Sequence, residues 1–471
     1  MSYRPTAIDL FAGAGGMSLG FEQAGFDVIA AVELDPIHAA VHHFNFPTTA
    51  MLPCSVVGLD AQMILQHYHD ANAGDGVDVV CGGPPCQGFS LIGQRMLDDP
   101  RNQLVRQFVR LVADLNAKYF VFENVKGLTV GEHRKFLRLL ISEFEDCGYV
   151  VTQPWRVLNA KNYGVPQHRE RLFLLGAKRG LPPPEYPAAQ TDDEPDLFSS
   201  KCIRSIPTCW DALEDIPDNE AFEALKTVDS VSVENWNPQS EFAREMHCLT
   251  NDCWHFGYPR EWDADLLTSS MRTAHSDISR LRFRETLPGE IEPISRFYKL
   301  SPDGQSNTLR AGTDSARGAF TSPRPIHYKH ARCISVREMA RLHGYPDWFR
   351  FHATKWHGAR QVGNSVPPPL ARAVASAIIK VLGVTPKRPS RILALGSADL
   401  LTMDMTQAAK YWGVEVPIKN RDRKNGLRKR TQCEIEQERN GAEVVNGDRK
   451  KQSLCGYRGK AVLLQVHEGD R

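Results

Sequence analysis

The sequence has no apolar run near the ~20 residues that a membrane-crossing helix needs; stretches such as 119–122 and 172–177 fall far short. Its N-terminus also lacks the basic, apolar and small-residue series of a secretory signal, so a cytoplasmic protein without a membrane partner is expected. It has no disulfide framework. Eleven cysteines are an odd number scattered along the chain, which suits reduced thiols. Cys248 and Cys253 are too far apart for a zinc knuckle and no Cys/His pair follows at finger spacing, so no metal is expected. Charge of one sign is missing too, with 57 Lys and Arg against 56 Asp and Glu for a net charge of +1. That balance hides one local excess, "KNRDRKNGLRKR" at 419–430, where seven basic residues face one acid; the run suits phosphate contact or a solvated tail. No internal repeat is found.

At 471 residues and 42% hydrophobic, the chain can bury a full core in two or three domains. Over the first 180 residues, short β-branched or aromatic runs alternate with longer amphipathic ones, which predicts βαβ units and a mostly parallel sheet. Strands are expected at 7–11, 27–32, 77–81, 119–123 and 171–175, and helices at 17–24, 37–45, 103–115 and 133–147. The cluster "GLPPPEYPAAQTDDEPD" at 180–196 marks a domain boundary. Beyond it the periodicity fades for ~140 residues, until helical patterns return at 336–343 and 368–382. The expected organisation is an α/β catalytic domain at 1–185, an irregular domain at 190–330, a return at 332–385 and an extension at 390–471. Within that extension, 400–414 has the look of a helix-turn-helix opening or of an accessory helix.

Three stretches carry chemistry. In "IDLFAGAGGMSLGFEQAGF" (8–26) a strand meets a glycine turn and a helix; Gly13, Gly15 and Gly16 let a ligand approach the backbone and the helix N-terminal amides. Glu33, in "AAVELDP", ends the next strand, where a carboxylate can hold a ribose diol. This pattern fits a nicotinamide dinucleotide as readily as S-adenosylmethionine, or a structural turn alone. In "CGGPPCQGFS" (81–90), Pro84 and Pro85 forbid continuation of a strand and the glycines allow tight passage, so Cys86 emerges at the sheet's carboxyl edge. A buried structural thiol is the bland reading, and an activated nucleophile is the one this setting suits. Glu123, in "YFVFENVKGL", closes an apolar strand as a proton donor or a turn cap, with Asn124 shaping the turn. In "GVPQHRERLFLLG" (164–176), Arg169 and Arg171 are two apart at a strand start and should share a face; ion pairs with Glu170 or Asp146 are the alternative.

Taken in order, "DLFAGAGG", "VELD", "GGPPCQGFS", "ENV", "QHRER" and "QVGNSVPPPLA" resemble the motif series of the DNA (cytosine-5) methyltransferases over about 6–180 and 332–382. The resemblance implies a Rossmann-like sheet binding S-adenosylmethionine, a target-recognition domain at about 190–330, and double-stranded DNA between them with a cytosine flipped out. By the same resemblance Cys86 attacks C6 of the base, Glu123 bonds N3 and the exocyclic amine, Arg171 holds O2 and Arg169 supports the cleft. Phe11 packs on adenine, Gly13 and Gly15 approach the methionine portion, Glu33 takes the ribose, Leu104 lines the adenosine pocket, and Asn364 and Ser365 complete the methionine site. For the adenine amine, where the family often has Asp, the sequence offers Ser55 by spacing and Asp60 by type.

DNA contacts implied by the resemblance are Gln87, Ser90, Thr308 and Arg310; Arg310, Arg317 and Arg324 suit phosphate contacts as well. The expected protein is a monomeric bacterial modification methylase, orphan or paired with a restriction endonuclease of the same site. An RNA-directed relative and a non-catalytic DNA-binding relative are the alternatives; the ~140-residue insert argues against the first and the retained thiol against the second.

Overall fold

A computed structural model describes residues 3–66, 77–85, 102–131, 133–192, 204–234, 236–312 and 323–416. Their packing gives one main unit, with Ala274–Ser279 grouped apart from it. In that short segment the hydroxyls of Ser276 and Ser279 are 3.0 Å apart.

The first 180 residues of the main unit build a central sheet. Its strands are β1 (Thr6–Leu10), β2 (Asp27–Val32), β3 (Ala50–Leu52), β4 (Val79–Gly82), β5 (Tyr119–Val125), β6 (Tyr149–Val151), β7 (Arg156–Asn159) and β8 (Glu170–Lys178). They lie in the order β3-β2-β1-β4-β5-β8-β6, with β7 also on β8. Between them run α1 (Gly16–Ala24), α2 (Pro36–Asn45), α3 (Ala61–Leu65), α4 (Asn102–Asp114) and α5 (His133–Asp146). The five expected strands and four expected helices are all present, with ends shifted by a few residues at most. Strands β3, β6 and β7 are additional.

Pairing is parallel from β3 through β5. The last strands depart from that pattern, because β8 runs antiparallel to β5 and sets Arg171 opposite Val125. This reversal brings the start of β8 to the edge where the parallel strands end. The order also changes direction at β1, between β2 and β4, which is where open α/β sheets form their ligand crevice.

Both faces of the sheet are covered, which is why its strands are apolar throughout rather than alternating. On one face lie α4 and α5, with Phe108, Phe120, Phe122, Leu140 and Phe144 in a common core. On the other, α1 packs against α11 (Pro368–Leu382), which brings in Leu370, Val374 and Ile378. The approach is close: a Cβ on Gly20 would lie 2.4 Å from Ala371 Cβ and 2.6 Å from the Arg372 nitrogen.

Residues 204–312 form short elements, among them α6 (Cys209–Leu213), α7 (Glu241–Met246) and α8 (Asp277–Glu285). Regularity returns with α9 (Val336–Leu342), whose Ser335 and Glu338 cap its first turn reciprocally, and α10 (Lys355–Asn364). The irregular region and the return share one apolar cluster that includes Leu213, Phe242, Leu267, Met339, Tyr345 and Phe349. Buried Arg341 joins them through Asp215 at 2.9 Å and Asp347 at 2.6 Å. By length and composition alone Lys355–Leu382 passes for a membrane span; it is α10 and α11 separated by 365–367, mostly buried in the core. In the extension, 400–414 holds the end of a 3-10 turn and one helix, α12 (Met405–Trp412). The basic run at 419–430 lies outside the described residues.

Candidate active site

Each parallel strand delivers one functional group to the same edge. After β1 the backbone turns through Phe11, a non-glycine residue held at φ 64°, then Gly13 at φ 57° and Gly15 at φ 103°. Left-handed backbone is costly for a phenylalanine. Here it turns the chain sharply off the strand, and Phe11 and Gly13 line a cavity of about 480 Å³. Gly15 serves the helix instead, as the N-cap of α1, and a Cβ there would lie 2.4 Å from the Phe46 ring. It lies beside the cavity and is not part of its lining.

At the end of β2, Glu33 lines the same cavity. Its two carboxylate oxygens accept from the amides of Gly13 at 2.9 Å and Asp35 at 2.8 Å. Burial holds its carboxyl above the ordinary range, against the pull of His38 and these amides. Leu104, Asn364 and Ser365 are also in the wall, the last two from the far end of the chain. Ser55 lines the cavity as well, whereas Asp60 does not and instead caps α3 through the Gln62 amide at 2.9 Å.

The other half of the cavity holds Gly83, Pro84 and Pro85 after β4, Glu123 and Asn124 of β5, and Arg171 of β8. Glu123 Oε1 and Arg171 Nε are 3.0 Å apart and both side chains are nearly buried. Burial raises the Glu123 carboxyl above its usual range, partly offset by the charges of Arg171 and Arg169. Only a glycine fits beside it, because a Cβ on Gly83 would lie 2.6 Å from Glu123 Oε2. Asn124 donates to the Pro84 carbonyl at 3.2 Å, so the strand bearing the carboxylate also fixes the path toward Cys86. Cys86, Gln87 and Ser90 themselves lie outside the described residues.

Arg169 and Arg171 both bear on the Glu123 carboxyl, but they bind different partners. Arg169 precedes β8 and is fully buried, where it donates to the carbonyls of Leu309 at 3.0 Å, Gly363 at 2.8 Å and Ser365 at 2.9 Å. It locks the loop at Leu309 and the α10–α11 turn to the sheet, and of the two only Arg171 lines the cavity. Neither forms the surface ion pair with Glu170 or Asp146; Arg171 touches the Glu170 carbonyl at 2.8 Å. Thr308 is exposed, donates to the His168 carbonyl at 2.6 Å, and lines an adjoining groove with Lys126 and Arg171. Arg310 is exposed beside it. Arg324 is not available to phosphate: it is buried and bound to the Ile334 carbonyl at 2.9 Å and Thr273 Oγ1 at 2.6 Å. Arg317 lies outside the described residues.

Sequence reasoning passed over Asp9, which lines the cavity from within β1. It accepts from Ser18 Oγ at 2.6 Å, and that hydroxyl is 3.0 Å from His42 Nε2. Burial pushes the Asp9 carboxyl up to about 7 and pulls His42 down to about 3. A charged residue inside an otherwise apolar strand was the available signal. His38 and Gln361, also in the wall, gave none.

A nucleoside-sized cleft at a sheet switch point, with an anchored carboxylate at one end and a buried Glu–Arg pair at the other, admits several chemistries. The comparisons narrow them. Over 415 residues, 88% of this chain and 94% of the relative, it is 55% identical to the Type II methyltransferase M.XorII of Xanthomonas oryzae pv. oryzae. It is 33% identical over 379 residues, 80% of this chain and 87% of the relative, to M1.HphI of Haemophilus parahaemolyticus. A solved DNA modification methyltransferase from an Escherichia coli prophage superposes with a TM-score of 0.64 at 32% identity, covering 80% of this chain and 99% of that one. Residues 6–380 match the model for C-5 cytosine-specific DNA methylases, spanning every strand of the sheet together with Arg169 and Arg171, and this chain belongs to that family.

Proposed function

We propose that the protein methylates C5 of cytosine in double-stranded DNA, using S-adenosylmethionine, as the modification enzyme of a Type II restriction-modification system. It would act as a monomer in the bacterial cytoplasm, with a restriction endonuclease of the same site as counterpart. The observation that carries this reading is that Glu123 and Arg171 share one cavity with Glu33, Asn364 and Ser365. A base-binding end and a nucleoside-binding end are thus continuous.

The residues fit the cofactor. Glu33 is fixed by two amides, with its carboxylate set to take a ribose diol, and Phe11 offers a ring at the cavity wall. Gly13, Leu104, Asn364 and Ser365 supply the remaining contacts, with Ser55 rather than Asp60 placed to meet the adenine. When bound, S-adenosylmethionine supplies an electrophilic methyl group on a sulfonium.

Cytosine C5 is a weak nucleophile and lies inside the stack, so the base is first flipped out, which costs a few kcal/mol. The Cys86 thiolate then adds to C6, and the electron pair of the C5–C6 bond moves into the ring to make C5 nucleophilic. Glu123 bonds N3 and the exocyclic amine, where it offsets the charge that develops. Arg171 holds O2 and keeps Glu123 oriented. Once C5 carries the methyl group, its proton is lost to a base, the C5–C6 double bond re-forms and Cys86 leaves as thiolate. Gln87, Ser90, Thr308 and Arg310 meet the DNA around the flipped base.

The test uses labelled S-adenosylmethionine with duplex DNA or tRNA, for the unaltered protein and Cys86→Ala. Transfer to duplex DNA that is lost in the variant is expected. Transfer to tRNA alone, or DNA retention without transfer, overturns the reading. Duplex with 5-fluorocytosine at the target should trap a denaturation-resistant complex, because fluorine cannot leave C5 as a proton does. Bisulfite sequencing of host DNA would give the recognition sequence.

A further inference from the structure

Beyond the residues matched to the family, 393–412 does not trail away from the sheet. Leu393–Ala394 pairs with Arg260–Glu261, and the Gly396 amide donates to the Phe44 carbonyl of α2 at 2.9 Å. A Cβ on Gly396 would sit 2.9 Å from Phe44 Cα, so the contact is backbone against helix. Leu400 and Leu401 then join one buried cluster with Ala40, Val41 and Phe44 of α2 and Ala14 of the glycine turn. At the far end Trp412 Nε1 donates to the Pro36 carbonyl at 3.2 Å, and its ring meets His43 edge-on at 5.6 Å.

These contacts fall on the supports of one carboxylate. Glu33 is held by the Gly13 amide, next to Ala14, and by the Asp35 amide, next to Pro36. The strap shares a buried cluster with Ala14 and hydrogen-bonds the Pro36 carbonyl. It also reaches the third wall: Leu401 O accepts from the Ala353 amide at 2.8 Å, and the Met403 carbonyl lies 3.0 Å from His352 Nε2. Those residues lead into α10, which carries Gln361 and Asn364 to the cavity. A segment that is hydrogen-bonded to the β2–α2 junction and to the residues leading into α10, and that shares a buried cluster with the glycine turn, fixes their spacing.

We propose that 393–412 is a clamp that sets the affinity of the cavity for the adenosyl cofactor, with Leu401 and Trp412 as positioning residues. Among the described residues no hydrogen bond or ion pair joins the clamp to Glu123 or Arg171, so its effect falls on cofactor binding and not on the chemical step. The proposal rests on the reading of this cavity as the S-adenosylmethionine site.

The experiment measures S-adenosylhomocysteine binding by calorimetry in the full chain, with kcat at saturating cofactor and duplex affinity measured alongside. Trp412→Ala, which removes a hydrogen bond and ring packing, is expected to weaken binding about tenfold, and Trp412→Phe, which keeps the ring, about threefold. KM for S-adenosylmethionine should rise in step while kcat and duplex affinity hold. Thr406→Ala, at an exposed position on α12, controls for general damage to the helix and should match the unaltered protein. Equal binding by Trp412→Ala and the unaltered protein overturns the clamp alone. A loss of kcat and duplex affinity in proportion to cofactor affinity also overturns it, as a merely structural role. No binding by the unaltered protein overturns the clamp and the cofactor reading together.

Discussion

Glu123 and Arg171 approach to 3.0 Å at the end of two antiparallel neighbours, β5 and β8, with the carboxylate and the guanidinium both nearly buried. A Glu so placed keeps its proton to higher pH than a free carboxylate does, and a guanidinium fixes which oxygen is turned outward.

Glu123→Gln should lower kcat by at least about 100-fold while leaving S-adenosylhomocysteine affinity within about twofold. Because burial raises the Glu123 carboxyl above its ordinary 4.5, its proton is present at lower pH and lost as pH rises through the raised value. Thus kcat/KM should show an alkaline limb that Glu123→Gln lacks. Steady-state rates across pH on one duplex substrate check both points; a limb of unchanged position in the variant would assign it to another group.

Arg169→Met keeps the length of the side chain and abandons three buried carbonyls. A cost on the order of 3 kcal/mol in stability is expected, since each unpaired buried acceptor costs about 1 kcal/mol or more. Arg169→Lys should recover only part of it, because an ammonium lacks the planar fork. Denaturant unfolding gives the comparison, and an unchanged midpoint in Arg169→Met would show that the three bonds contribute nothing.

Asp9 contributes in the opposite sense to a surface carboxylate. Its folded-state value of about 7 lies above the ordinary 3.8, so its stabilising, protonated form is fully present below about 4 and is lost as pH rises to about 7. The displacement corresponds to on the order of 4 kcal/mol of ionisation penalty. Asp9→Asn still accepts from Ser18 but cannot ionise, so its stability relative to the unaltered protein should climb between pH 4 and 7 and then level off. Thermal unfolding at several pH values measures this; a flat difference would mean that Asp9 titrates normally.

Gly20→Val places methyl groups where Ala371 Cβ and the Arg372 nitrogen already stand. It should destabilise by about 1–3 kcal/mol or more. Gly383→Ala, at the end of α11 where nothing lies within 4 Å of a Cβ, meets only the strain of its φ of 65° and should cost about 1 kcal/mol. If both cost the same, the packing of α1 on α11 is looser than described.

Much of this was legible from residue order. The apolar runs gave five strands because they are buried on both faces, and Glu33, Glu123 and Leu104 follow from their places at strand ends or in the motif series. Strands β3, β6 and β7 were not legible, since three or four residues are too few to show a period. Nor was the direction of β8, which depends on pairing partners distant in sequence. Two arginines at i and i+2 suggested one shared face, and both bear on Glu123; that Arg169 is taken up by carbonyls at 309, 363 and 365 depends on residues distant in sequence. Ser55 could be separated from Asp60 only by the position of β3 and α3. The adherence of 393–412 to α2 left little trace, because it rests on one backbone amide, two leucines and a single tryptophan.

The dependence of Arg169 on carbonyls at 309, 363 and 365 has a consequence for synthesis. A ribosome that has made the first 310 residues has made the thiol segment, the carboxylate of β5 and both arginines, but Arg169 still lacks two acceptors and the cavity lacks the wall that Asn364 and Ser365 supply. An early stop before Ser365 is therefore expected to leave a buried guanidinium short of partners and an open cavity, a product suited to proteolysis rather than to work.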